Sequence, residues 1–172
     1  QRLSSGKNQQ SVDAIIHARW IIPVEPDETV YEHHSLVIQH GKILDILATE
    51  RCAKKYHSQT EHKLESHALL PGFVNTHTHA AMTLMRGMAD DLPLMEWLSE
   101  HIWPVEGKCV NYQFVKDGTD LAVAEMLRGG TTTFNDMYFF PDAAAKSADE
   151  AGIRASLGLI MIDFPSAWGK NS

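Results

Sequence analysis

The chain has 172 residues, 44% of them hydrophobic and 22% charged, with a formal net charge of −7 and a pI of about 5.8. This is ordinary globular composition, and an acidic balance without a Lys/Arg block argues against a nucleic-acid backbone or an anionic membrane as partner. Cys52 and Cys109 lie outside any Cys-x-x-Cys pair and make no disulfide framework, and no apolar run approaches the roughly 20 residues that span a bilayer. A reducing, cytoplasmic setting is the default expectation. Residues 1–10, QRLSSGKNQQ, are polar without an apolar core and read as a disordered lead-in, not as a signal peptide.

From Val12 to about Leu47 the chain reads as strands joined by turns. "VDAIIHARWIIPV" is rich in Ile and Val, "PDE" turns it, and "HSLVIQHGKILDIL" reads as a hairpin about His40-Gly41. Residues 50–67 are polar and charged, a short helix or loop followed by a strand leading out. The rhythm then changes to alternating strand and helix. Residues 69–75 predict a strand entering a fully covered sheet, and Pro93 opens a helix in "PLMEWLSEHIW". A longer helix is predicted within 111–128, ended by Gly129-Gly130. "TTTFND" (131–136) is a β-branched strand, "PDAAAKSADEA" (141–151) a helix closed by Gly152, and "IRASLGLIMI" (153–162) a third strand. Alternating β and α with short connections predicts a parallel sheet covered by helices. A closed (β/α)₈ barrel takes roughly 250 residues, so residues 68–172 read as the first part of a larger fold.

Catalytic groups in parallel α/β folds gather at the carboxyl ends of strands. His77 and His79 stand there in "PGFVNTHTHAAM" (71–82), and Asn135 and Asp136 stand at the same end of the next strand. Residues i and i+2 of a strand point the same way, so the two imidazoles project together as a pair of metal ligands. A bare His-x-His is more often a pair of solvated loop histidines, and the wider context has to change those odds. A catalytic zinc needs three or four protein ligands, so two histidines are half a site. His33, His34, His40, His57, His62, His67 and His101 lack ligand spacing and read as surface residues. Asp136 alone reads as a strand-end cap, and Arg86 with Asp90-Asp91 as residues shaping a loop.

The stretch "LLPGFVNTHTHAAMTLMRGMADDLPLMEWLSEHIWPVE" with "GGTTTFNDMYF" resembles the opening of the amidohydrolase superfamily, and more narrowly the 5′-methylthioadenosine/S-adenosylhomocysteine deaminases. The resemblance implies a (β/α)₈ barrel, of which 68–172 is the first part, beside a small β-sandwich subdomain whose N-terminal part is 11–67. It implies one divalent metal per chain, zinc or another, held by His77 and His79 together with ligands beyond Ser172. The catalytic proton shuttle is also expected beyond Ser172. Glu106, in "IWPVE", matches the carboxylate that takes ribose hydroxyls, and Trp97 matches an aromatic near the pocket wall. Some relatives carry a substrate-binding Arg just past the third strand. Here that stretch is Leu157-Gly158-Leu159-Ile160, so the contact is absent or supplied elsewhere and the preferred nucleoside stays open.

The implied reaction is hydrolytic deamination of an adenosine-type nucleoside to the inosine-type product and ammonia. The implied partners are a small-molecule nucleoside and the remainder of the protein's own chain, with a homo-oligomer left open. A piece ending at Ser172 is expected to be inactive. Guanine deaminase, triazine hydrolase or a non-catalytic barrel with a structural role are the competing readings, and Glu106 argues for a ribosyl substrate.

Overall fold

The structure, a computed structural model, describes residues 9–163 and 166. The expected lead-in lies outside the described residues as far as residue 8, and Gln10 is already paired in a strand. The chain divides between Pro71 and Gly72 into two units.

Alternating apolar side chains build the first unit. It comprises β1 (Gln10–Ser11), β2 (Ala14–Ile21), β3 (Tyr31–Gln39), β4 (Lys42–Ala48), α1 (Thr49–Lys55), β5 (Tyr56–His57) and β6 (Glu61–Leu69). Ile15 and Val37 pack with Val12, Cys52 and Tyr56. Their chain neighbours Ile16, Leu36 and Ile38 pack instead with Ala18, Ile21 and Ile46. Period-two patterning thus sends adjacent residues to two separate clusters. The β3–β4 hairpin turns on His40 (φ 51°) and Gly41 (φ 69°), the paired positive φ of the type I′ turn that its two-residue loop calls for. The sheet order is β4-β3-β2-β6, with β6 parallel to β2, and β1 pairs with β5 in a separate ladder. The described residues therefore give one four-stranded sheet and a two-stranded ladder; a complete sandwich is not among them. Leu69 pairs with Ile21 in β6, so the barrel-type strand does not start at residue 69 as the sequence suggested.

That strand, β7, is Phe73–Thr78. A 3₁₀ helix (Ala80–Met85) follows it, and then one helical run made of α2 (Leu94–Glu96), a π-helical turn (Trp97–Ile102) and α3 (Trp103–Cys109). Next come α4 (Tyr112–Arg128), β8 (Thr131–Met137), α5 (Pro141–Ala151) and β9 (Arg154–Gly158). The helix start at Pro93 is as the sequence indicated, but the run continues past residue 103 through the π turn. Asn111 caps α4 by accepting the Phe114 amide at 3.0 Å, and Gly130 (φ 85°) and Gly152 (φ 70°) take the left-handed conformation after α4 and α5. β7, β8 and β9 form a parallel sheet in that order, and the third strand ends at Gly158, short of the expected residue 162. Phe134, fully buried, packs with Ala80, Ala122, Val123, Ala148 and Ile153 where α4 and α5 cover the sheet. The expectation of a fully covered first strand does not hold in this chain, because Phe73 and Val74 are each 60% exposed. Parallel sheets ordinarily bury both faces, and among the described residues only one face is covered.

Candidate active site

The carboxyl end of β7 is not a regular strand. Asn75 pairs with Phe134 and Thr78 with Asp136, so three steps along β7 match two along β8. This extra residue is a bulge, which re-aims side chains at sheet edges and active sites. Local polar groups hold it. Asn135 Nδ2 donates to the Thr76 carbonyl at 3.0 Å, and the His77 amide donates to Asn75 Oδ1 at 3.3 Å. The His77 and His79 rings end 5.1 Å apart, edge to face at 76°. His77 is exposed and His79 half-buried.

His79 Nδ1 lies 2.6 Å from the Met137 carbonyl oxygen. A carbonyl only accepts, so Nδ1 carries a proton and donates, and in the neutral tautomer Nε2 is the nitrogen left to ligate. Metal-binding histidines are commonly held in this way. The donor set therefore suits a divalent metal at this strand end. Among the described residues, no group of three His, Cys, Asp or Glu completes a metal cluster. Directly after His79, the buried Asp136 accepts the Ala80 amide at 2.8 Å through Oδ1 and so anchors the first turn of the 3₁₀ helix. Burial pushes the Asp136 carboxyl upward from its ordinary value, against the pull of that amide and of His79. The sequence reading of Asp136 as a strand-end cap is thus replaced by a bond to another element, because the partner amide lies 56 positions away.

Glu106, in the first turn of α3, accepts a hydrogen bond at 2.7 Å from the hydroxyl of Tyr138, which directly follows β8. Tyr138 is 6% exposed, and its ring centroid lies 6.2 Å from that of His79. Burial pushes the Glu106 carboxyl upward, and the Tyr138 hydrogen bond and His79 oppose it. Burial and then the Glu106 carboxylate push the tyrosine hydroxyl far up, so it remains a neutral donor. His79, Tyr138 and Glu106 thus form one cluster. Trp97 lines a groove of about 540 Å³ with Met82, Met85, Asp90, Leu92 and Ile102. Arg86 holds Glu125 of α4 with two hydrogen bonds, 2.9 and 2.6 Å, which ties down the loop after β7. Sequence reasoning missed Tyr138. Its signal was the spacing Asp136-x-Tyr138 at a strand end, the same one-residue gap as in His77-x-His79.

Comparison with known proteins bears on what this strand end belongs to. The model of the amidohydrolase family matches residues 68–172, which is most of the chain and includes both histidines. The chain belongs to the amidohydrolase family. Among relatives within it, the 5-methylthioadenosine/S-adenosylhomocysteine deaminase of Saccharophagus degradans is 53% identical over 162 residues, covering 94% of this chain and 36% of that protein. The 5′-deoxyadenosine deaminase of Methanocaldococcus jannaschii is 49% identical over 136 residues, 74% of this chain and 32% of that protein. An adenosine deaminase from Xanthomonas campestris, crystallised with bound zinc, superposes with a TM-score of 0.92 at 45% identity, covering 95% of this chain and 37% of that one. The chain thus spans about a third of the length of these proteins. Among the described residues no helix is long and apolar enough to cross a membrane.

Proposed function

We propose that the complete protein is a metal-dependent aminohydrolase that deaminates adenosine-type nucleosides, 5′-methylthioadenosine and S-adenosylhomocysteine above all, to the inosine-type product and ammonia. The activities named for its relatives support this reading. The observation that carries it is the His79 ring, its Nδ1 committed to Met137 and its Nε2 available beside His77. In this reading His77 and His79 hold one divalent ion, zinc first, together with ligands from the rest of the protein. The bound ion supplies an activated water at neutral pH. Glu106 accepts the two vicinal ribose hydroxyls, which orients the nucleoside and discriminates against a free base. Trp97 contributes an apolar wall from its groove. The first unit's sheet supplies one layer of a sandwich completed by later chain.

The test replaces both His77 and His79 with Ala in the complete protein. Metal content by elemental analysis is expected to fall from about one ion per chain to background, and deamination of 5′-methylthioadenosine to disappear, while the circular dichroism spectrum stays native. Undiminished metal in that folded variant sinks the proposal.

A further inference from the structure

We propose that Tyr138 is a positioning residue for nucleoside binding: its hydroxyl fixes the Glu106 carboxylate in place relative to the metal-site ring of His79. The inference rests on the reading of Glu106 given above and adds a residue to it.

Three observations support it. The Tyr138 hydroxyl donates to Glu106 Oε1 at 2.7 Å, across 32 positions of sequence. The donor is itself enclosed, since Tyr138 clusters with Ala81, Val110, Val115 and Ala143 and its ring lies 5.1 Å from the Phe139 ring. The same ring neighbours His79 at 6.2 Å. A glutamate on a short helix has three free side-chain torsions, and ordering them at each binding event costs affinity. A buried tyrosine that already holds one carboxylate oxygen removes much of that cost. In this proposal Oε2 and the second lone pair of Oε1 take the hydroxyl donors. Tyr138 also sets a fixed spacing between the sugar-binding carboxylate and the metal end of the site.

The test uses the complete metal-loaded protein and Tyr138→Phe, which keeps the ring and its packing. On 5′-methylthioadenosine, kcat/KM is expected to fall about five- to tenfold, part of what one hydrogen bond to a charged group contributes, and to fall through KM with kcat nearly unchanged. Metal content should hold and the circular dichroism spectrum should stay native, with Tm lowered by the one lost bond. A 2′,3′-dideoxy analogue should be equally poor with parent and variant. Glu106→Gln with Tyr138→Phe should lose less than the product of the single losses. If Glu106→Gln weakens binding but Tyr138→Phe does not, the positioning role is wrong and the reading of Glu106 stands. If Tyr138→Phe costs the same factor on both substrates, the tyrosine is merely structural and the proposal is overturned. If Glu106→Gln leaves kcat/KM untouched, or the parent enzyme deaminates neither nucleoside, the underlying reading falls and takes this one with it.

Discussion

Burying a carboxylate costs free energy unless something is gained by it, and Asp136, 3% exposed, gains the Ala80 amide. That amide belongs to the first residue after His79, so the bond sets the direction in which the chain leaves the His79 ring. Asp136→Ala leaves a buried N–H without its acceptor, which costs about 1–3 kcal/mol. The variant is expected to unfold at lower denaturant concentration and to bind metal more weakly. Asp136→Asn keeps an acceptor oxygen and should restore most of both. Denaturant melts with parallel metal titrations of the two variants check this, and an Ala variant as stable as the parent would remove Asp136 from the account. The same economy of residues recurs one position earlier, where Asn135 closes the β7 bulge through the Thr76 carbonyl.

Helix α4 meets the 3₁₀ helix with almost no space between the backbones. A Cβ added at Gly118 would lie 2.4 Å from the Ala81 carbonyl oxygen and 2.9 Å from its Cα. On an open helix surface, Gly→Ala stabilises by about 1 kcal/mol through propensity. Here the added methyl must push backbone, not a flexible side-chain tip, and overpacking of that kind costs typically about 1–3 kcal/mol. The clash wins. Gly118→Ala is expected to lower stability in denaturant melts, and because the displaced helix begins directly after His79, to weaken metal binding as well. A Gly118→Ala variant more stable than the parent would mean that the two elements have room to separate. The close approach also explains why α4 carries a glycine in mid-helix, where propensity alone disfavours it.

Both units leave apolar strand residues uncovered, Ile43 in the first and Phe73 and Val74 in the second. In the first, a four-stranded sheet buries residues on both faces. In the second, the parallel sheet has β7 and β9 at its edges and leaves Phe73 and Val74 each 60% exposed. Open edges and uncovered apolar strands favour association over a unique fold. The 172-residue chain produced by itself is therefore expected to be inactive, to melt broadly, and to bind a hydrophobic dye at room temperature. A sharp cooperative melt without dye binding, measured by calorimetry and fluorescence, would show that the second unit is self-sufficient.

Much of this architecture was legible from residue order, because the forces involved act over a few positions. Helix α5 runs from Pro141 to Ala151, the limits that a proline start and a Gly152 stop dictate, and the β3–β4 turn falls on His40-Gly41 because both residues tolerate positive φ. The pairing of His77 with His79 was legible for the same reason. Strand alternation is local. The rest depended on partners distant in sequence. The β7 bulge exists only against β8, so simple alternation could bring the two rings together but could not reveal the Asn135 and Asp136 bonds that hold them. Leu69 reads as the start of a barrel strand until Ile21 claims it for β6. Glu106 stands out through the resemblance of "IWPVE", but nothing in the order of residues says that the end of β8 brings the Tyr138 hydroxyl to it. Local sequence determined which elements form and which chemistry stands at their ends. Tertiary structure decided which side chain holds which, since burial and hydrogen bonding are settled by neighbours that the order of residues does not name.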